Sequence, residues 1–204
     1  MIAIADYGMG NRRSVEKALA HVGAASVISA DHDVIRDASA LILPGVGAFP
    51  EAMRNLDRTG LGEVLIERAD AGVPLLGICL GMQLLFEASS EHEGARGLGI
   101  LPGEVTRLQS PRLPHIGWNL VTFERESALT EGLGDAAAFY HVHSYACRPF
   151  DATDVVGRSE YGERFASIVE RGNVMAAQFH PEKSSRDGLR MLRNFAQLAA
   201  VAHA

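Results

Sequence analysis

The most informative segment of this chain is Leu75-Leu76-Gly77-Ile78-Cys79-Leu80-Gly81-Met82-Gln83. Its apolar start predicts a buried strand and the residues after Cys79 predict a helix, so the cysteine falls at the junction of the two. A sharp strand-to-helix turn crowds the backbone, and Gly77 and Gly81 are the small residues that such a turn requires on both flanks. The pattern is that of a nucleophile elbow, which presents a reactive side chain above the edge of a sheet.

On this segment alone, two interpretations of Cys79 are open. At the start of a helix the backbone dipole stabilises a thiolate, which would make Cys79 a nucleophile. A small buried apolar residue packed beside glycines would leave the same pattern. A base elsewhere in the chain is needed to decide between them.

Such a base is offered by the segment Gln178-Phe179-His180-Pro181-Glu182-Lys183. The apolar stretch 174–179 predicts a strand that delivers His180 and Glu182 into a loop. Residues two apart in an extended chain point the same way, so the carboxylate can orient the imidazole while its other nitrogen faces a thiol. An exposed turn is the alternative for this segment alone, but together with the elbow the pair favours catalysis.

The first half of the chain alternates between apolar and amphipathic segments. Strands are predicted at 2–5, 26–28, 40–43 and 73–78, and helices at 15–22, 49–56 and 61–71. Alternation of this kind indicates an α/β fold with a parallel sheet.

After about residue 100 the pattern changes to short apolar segments with glycine and proline between them. Strands are predicted at 105–108, 116–123, 139–143, 167–169 and 174–179, followed by a last helix at 186–201. These strands suggest antiparallel additions to the same sheet. No internal repeat or linker interrupts the sequence, so residues 1–204 are interpreted as one domain.

Composition excludes several classes of protein. The 204 residues are 47% apolar and 22% charged, within the globular range, and the net charge of −6 offers no basic face for nucleic acid. The apolar start at 1–5 is too short for a signal peptide or membrane span, so a cytoplasmic protein is expected. Without a secretory signal no disulfide is expected between Cys79 and Cys147, and Cys147 is interpreted as a buried core thiol.

The elbow cysteine and the histidine–glutamate pair resemble those of the class I (triad) glutamine amidotransferases, and the resemblance covers essentially the whole chain. It implies a doubly wound, mostly parallel α/β sheet of flavodoxin-like architecture. It also implies that Cys79 attacks the side-chain amide of glutamine, that His180 protonates the departing ammonia, and that water releases glutamate from a thioester. Glu182 would complete the triad, and no cofactor is implied.

Acyl transfer also needs hydrogen-bond donors for the oxyanion. The loop Pro44-Gly45-Val46-Gly47 follows the predicted strand 40–43, and its glycines let backbone N–H groups approach closely. We expect Gly45, Val46 and Gly47 to form the oxyanion hole together with the Leu80 amide. An ordinary glycine-rich turn is the alternative for the loop alone.

Several segments resemble most closely the members of this family that serve histidine biosynthesis. They are Asp6-Tyr7-Gly8-Met9-Gly10-Asn11, Pro44-Gly45-Val46-Gly47-Ala48-Phe49, His115-Ile116-Gly117-Trp118-Asn119, Tyr140-His141-Val142-His143-Ser144-Tyr145 and His180-Pro181-Glu182-Lys183-Ser184. By the same resemblance, glutamine would be bound with the help of Gln83, Ser144 and Tyr145. Taken alone, each of these three could be an ordinary surface or strand-end residue.

The resemblance further implies a partner, a (β/α)₈-barrel cyclase that receives the ammonia in a heterodimer. Asn11, Trp118 and Lys183 are the candidate interface residues. A turn asparagine, a core tryptophan and a solvated lysine are the alternatives for them.

Other interpretations remain. A glutaminase of another pathway, such as that of pyridoxal-phosphate synthase, would be expected to carry a Gly-Gly-Glu-Ser loop in place of Pro44 to Gly47. A non-glutaminase cysteine protein of the same fold would usually lack the histidine–glutamate pair, and an interaction module would need none of these groups. His141 and His143 alternate on a strand without a nearby cysteine or carboxylate cluster, so no metal site is expected.

Overall fold

The structure, a computed structural model, describes residues 1–201. The helices are α1 (Arg12–His21), α2 (His32–Arg36), α3 (Phe49–Thr59), α4 (Leu61–Asp70), α5 (Leu80–Leu84) and α6 (Ser185–Val201). The strands are β1 (Ile2–Ala5), β2 (Ser26–Ser29), β3 (Ala40–Gly45), β4 (Leu75–Cys79), β5 (Phe86–Ser89), β6 (Ala95–Arg96), β7 (Leu101–Arg107), β8 (His115–Phe123), β9 (Ala136–His143), β10 (Tyr145–Pro149), β11 (Val155–Glu160), β12 (Arg164–Arg171) and β13 (Val174–Ala177). Short 3₁₀ turns lie at Ala128–Thr130, Ala152–Asp154 and Pro181–Lys183.

The main sheet has nine strands in the order β2-β1-β3-β4-β13-β12-β11-β8-β9. Its first five strands are parallel, and the pairings from β13 to β9 are antiparallel. Strands β1, β3, β4 and β13 are buried along their whole length, as parallel strands covered on both faces must be. The α/β class with antiparallel additions is therefore confirmed.

Part of the second half forms a separate sheet. Strands β10, β7, β5 and β6 pair in that order, so the strand predicted at 105–108, which overlaps β7, does not join the main sheet as expected. Helix α2 and strands β5, β6, β10 and β11 were not predicted. They are short, and pairing with neighbouring strands defines them rather than a periodic pattern of their own.

The core lies on both faces of the main sheet, because alternate residues of each buried strand point to opposite sides. On one face Leu41 and Leu75 pack against α3 and α4, and on the other Ile42 and Leu76 pack against α1 and α6. Because β3, β4 and β13 are parallel neighbours, their carboxyl ends lie together at one edge of the sheet. Within residues 1–201, no helix is both long and apolar enough to cross a membrane.

Candidate active site

Cys79 stands at the turn between β4 and α5 in a conformation that side chains rarely adopt, with φ 56° and ψ −109°. The flanking glycines make this turn possible. A Cβ at Gly81 would lie 2.7 Å from the carbonyl carbon of Leu43, and one at Gly77 would lie 2.9 Å from the carbonyl oxygen of Gly81. Backbone strain of this kind persists where the surroundings hold it in place, and it is common at functional sites.

His180 and Glu182 follow β13, which ends at Ala177, two residues earlier than predicted. The chain then leaves the sheet, and the His180 amide donates to the Tyr140 carbonyl at 2.9 Å. In the 3₁₀ turn that follows, the imidazole Nδ1 of His180 lies 2.9 Å from Oε1 of Glu182, and both side chains are almost completely buried. The carboxylate therefore orients the ring and leaves Nε2 for chemistry.

Asn11 contacts this pair from outside the cavity that opens over Cys79. Its Nδ2 donates to Oε1 of Glu182 at 2.9 Å, so this oxygen accepts from both the asparagine and the imidazole. The other oxygen, Oε2, is buried and has no hydrogen-bond partner within the described part of the chain. Asn11 thus helps to hold the carboxylate that orients His180.

The electrostatics favour a charged imidazole. Burial alone would lower the pKa of His180, but hydrogen bonds and charge interactions with Cys79 and Glu182 outweigh burial and raise it to about 10. These interactions therefore favour the protonated ring beside the Cys79 sulfur. An imidazolium in this place can give its proton to a departing amine.

A cavity of about 310 Å³ opens over Cys79, at the lower end of the range for small-molecule sites. It brings together the predicted site residues Val46, Gly47, Cys79, Leu80, Gln83, Ser144, Tyr145, His180 and Lys183. Glu91, Pro114, Val142 and His143 also line it and were not predicted. Glu91 had no sequence signal, since it lies in an irregular segment after β5 that only the fold places beside the elbow.

The predicted oxyanion loop leaves the end of β3 next to the elbow, where Gly45 is the register partner of Cys79. The Tyr7 hydroxyl donates to the Pro44 carbonyl at 2.6 Å and fixes the first peptide of the loop. Burial and Cys79 raise the pKa of Tyr7, so its hydroxyl stays a donor. Gly47 has a φ of 116°, which side chains rarely adopt.

Gln83 is buried at the base of the pocket. Its Nε2 donates to the Tyr145 carbonyl and to Oε1 of Gln178, both at 3.1 Å. These bonds use both hydrogens of the amide and leave the Gln83 carbonyl oxygen as the acceptor for a ligand.

Trp118 is not a core residue, which removes one alternative. On β8 the large apolar side chains of Ile116, Trp118 and Leu120 share one face of the sheet and are 59%, 55% and 55% exposed. The indole lies edge-on against Tyr140, whose carbonyl accepts from the His180 amide. An apolar patch of this kind therefore lies one strand away from the histidine.

An elbow cysteine that shares a pocket with a buried histidine, on an α/β sheet of this topology, is an arrangement that suits acyl transfer by a cysteine nucleophile. The family model for glutamine amidotransferase class-I matches residues 3–198, and the chain belongs to this family. It is 52% identical over 198 residues to the imidazole glycerol phosphate synthase subunit HisH of Bacillus cereus (strain G9842), a match that covers 96% of this chain and 93% of the relative. The same subunit of Moorella thermoacetica is 52% identical over 204 residues, covering 100% and 96%.

Solved structures show the same fold. A crystal structure of a glutamine amidotransferase superposes with a TM-score of 0.78 at 22% identity, covering 98% of this chain and 100% of the other. A putative GMP synthase subunit from Thermoplasma acidophilum superposes with a TM-score of 0.75 at 20% identity, covering 99% and 94%.

Proposed function

We propose that this protein is the glutaminase subunit of a cytoplasmic heterodimer in histidine biosynthesis. It hydrolyses glutamine and passes the ammonia to a (β/α)₈-barrel cyclase, which makes imidazole glycerol phosphate and aminoimidazole carboxamide ribotide. The observation that carries the chemistry is the strained Cys79 sharing one pocket with the buried His180–Glu182 pair. Relatives named as imidazole glycerol phosphate synthase subunits support the pathway.

In this mechanism the Cys79 sulfur attacks the side-chain amide carbon of glutamine and forms a tetrahedral intermediate. His180 gives its proton to the amide nitrogen, the C–N bond breaks, and ammonia leaves a thioester on the sulfur. Water then adds to the thioester with His180 as the base, and glutamate departs as the thiol is restored. Glu182 keeps the imidazole in the orientation that both steps need.

The oxyanion of each tetrahedral intermediate is assigned to backbone N–H groups of residues 45–47 and of Leu80. Gly45 stands beside Cys79 in the sheet register, and Val46, Gly47 and Leu80 line the pocket. Donors of this kind lower the barrier because they are aimed at charge that develops only in the transition state. We further propose that the Val46 peptide reorients when the partner is bound and loaded.

Gly47→Ala is expected to reduce kcat about tenfold or more while KM changes less, because its φ of 116° strains any side chain and a Cβ would lie 2.9 Å from Cε of Met9. Steady-state glutamate release in the presence of the cyclase measures both constants. Gly23→Ala is the matched control, since Gly23 also has a positive φ but has open space around it. If kcat/KM fell by the same factor only because KM rose, with kcat unchanged, the proposed reorientation of the oxyanion loop would be contradicted.

Glutamine itself is assigned to the pocket walls formed by Gln83, Ser144 and Tyr145. Glu91 is the acidic side chain that lines this cavity, and its Oε2 accepts from the Phe49 amide at 2.7 Å. A carboxylate held in this way suits the α-ammonium group of an amino-acid substrate.

Glu91→Gln is expected to raise KM for glutamine about tenfold with little change in kcat, because the ammonium loses a charged partner while a carbonyl oxygen remains for the Phe49 amide. Titration of glutamine in the glutaminase assay gives both constants. Glu93→Gln, two residues away and exposed, should behave as the unchanged chain. An unaltered KM for Glu91→Gln would remove this carboxylate from substrate recognition.

A closed interface with the synthase follows from the chemistry, since free ammonia is mostly ammonium at neutral pH and is then no nucleophile. Trp118 lies in the exposed apolar patch on β8, and Lys183 is exposed at the rim of the pocket. Asn11 connects to Glu182 directly. We assign these three residues to the surface that binds the partner. A cyclase bound there would be separated from the catalytic triad by only one or two residues in contact with each other.

Lys183→Ala is expected to weaken stimulation by the cyclase several-fold, because a rim charge that pairs across the interface is lost. Alkylation of Cys79 by a thiol reagent should proceed at the normal rate. Lys17→Ala is the matched control, since Lys17 is the only other lysine in the sequence and is exposed on α1. Unchanged stimulation would place Lys183 outside the interface.

The test of the whole proposal is glutamate release by the purified protein, alone and with a histidine-pathway cyclase plus its nucleotide ligand. Strong stimulation by the loaded cyclase is the expected result. Activity that ignores the cyclase would keep the glutaminase assignment but move it to another pathway. No activity under either condition would favour a non-glutaminase protein of this fold.

A further inference from the structure

Three buried histidines meet beside the pocket, and the mechanism uses none of them. His115 on β8 is the direct register partner of His143 on β9. His141 stands two residues before His143, on the same face of the strand, opposite Gly117. The ring of His115 stacks on that of His141 at a centroid distance of 4.8 Å.

The ring nitrogens of this histidine cluster, His115, His141 and His143, converge. Nδ1 of His115 lies 3.3 Å from Nε2 of His143, Nδ1 of His141 lies 3.1 Å from the same atom, and the three ligand atoms are within 4.8 Å of one another. Zinc binds imidazole at roughly 2.0–2.1 Å in a tetrahedron, which places neighbouring nitrogens about 3.3–3.4 Å apart. Two of the three distances between the ring nitrogens are already close to that spacing.

The surroundings prepare His143 as a ligand. Its Nδ1 lies 2.8 Å from the Tyr145 carbonyl, which can only accept, so the proton is on Nδ1 and the lone pair of Nε2 points into the cluster. Histidine ligands typically show this arrangement, in which the second nitrogen donates to a carbonyl or carboxylate and orients the ring.

The Nε2 atoms of the other two imidazoles have no hydrogen-bond partner or only a long hydrogen bond. Nε2 of His141 is completely buried and has no hydrogen-bond partner among residues 1–201, and Nε2 of His115 meets only the Asn119 amide at 3.3 Å. Burial lowers the pKa of His115 and His141, and it lowers that of His143 to about 3, which favours the neutral form of the rings. Neutral imidazole is the form that binds a metal.

We propose that His115, His141 and His143 form a binding site for a first-row transition-metal ion, for which zinc is the reference ion. Three imidazoles suit this class of ion and leave one coordination position open. His143 also lines the substrate pocket, from which a water can occupy that position. Binding shifts the Nδ1 protons of His115 and His141 to Nε2 and releases none. His141 and His143 alone gave no reason to expect a metal site, and the fold adds His115 as a third nitrogen donor.

The ion would connect β8 to β9 beside Ser144 and Tyr145, so it should stabilise this part of the fold. The binding test uses Cys79→Ser, which removes the thiol that would compete for metal. Zinc is titrated against a chromophoric chelator, and one ion per chain is expected. Adding His141→Phe should weaken zinc binding about 100-fold or more, because one of three ligands is lost. His21→Gln, at the exposed end of α1, is the matched control and should leave the affinity unchanged.

Two further measurements on Cys79→Ser do not depend on how the cluster variant folds. Cobalt(II) should give the intense visible absorption of a four-coordinate site without a thiolate charge-transfer band, and zinc should raise the unfolding temperature. The proposal is overturned if zinc does not bind. It is also overturned if a folded His141→Phe variant retains the affinity, which would place the ion at another site such as His180 and Glu182. A six-coordinate cobalt spectrum would likewise contradict it.

Discussion

Cys79→Ala is expected to abolish glutamate release, with a loss on the order of 10⁵-fold or more in kcat, because the thioester cannot form without the sulfur. The remaining pocket can still bind glutamine, so KM or a direct binding constant should change little. Measurement requires the cyclase and its ligand at saturating concentration, so that the unchanged protein shows its full rate.

Cys147→Ala is the control for this experiment, since it removes the other thiol of the chain. Cys147 is completely buried on β10 and faces the core, so its loss should cost about 1 kcal/mol of stability and leave turnover intact. Substantial glutaminase activity in Cys79→Ala would exclude covalent catalysis by this residue. Inactivity of both variants would point to damage of the fold instead.

Gly81→Ala is expected to lower the free energy of unfolding by about 3 kcal/mol or more. The added Cβ would overlap the carbonyl oxygen of Leu43, and the backbone of a buried strand cannot move aside as the end of a flexible side chain can. Urea unfolding of the purified variant measures the change, and activity should fall with it because Cys79 is two residues away.

Gly62→Ala is the matched comparison for that variant. Gly62 lies inside α4, and a Cβ there would lie 3.1 Å from the end of the Leu98 side chain, which can adjust. Alanine also favours helix by about 1 kcal/mol over glycine, so stability should be maintained or increase. A Gly81→Ala protein as stable as Gly62→Ala would show that the elbow does not require glycine on its helical side.

The elbow and the base could be predicted because each is a local pattern. Glycines flank Cys79 within five residues, and the strand before His180 positions a carboxylate two residues further on. Neighbours in sequence are neighbours in space in such motifs, so their chemistry can be inferred without the fold. The second sheet and Glu91 could not be predicted in this way, since their places depend on pairings and contacts between distant segments.

Hydrophobic periodicity and short-range sterics specify the α/β class, the cysteine junction and the histidine–glutamate pair locally, so these could be predicted from the residues alone. The folded chain was needed to see that Asn11 hydrogen-bonds Glu182, that Trp118 is exposed, and that His115 joins His141 and His143. The Asn11–Glu182 and His115–His143 contacts join residues 171 and 28 positions apart. They arise from strand order and register, which the burial of the whole sheet selects.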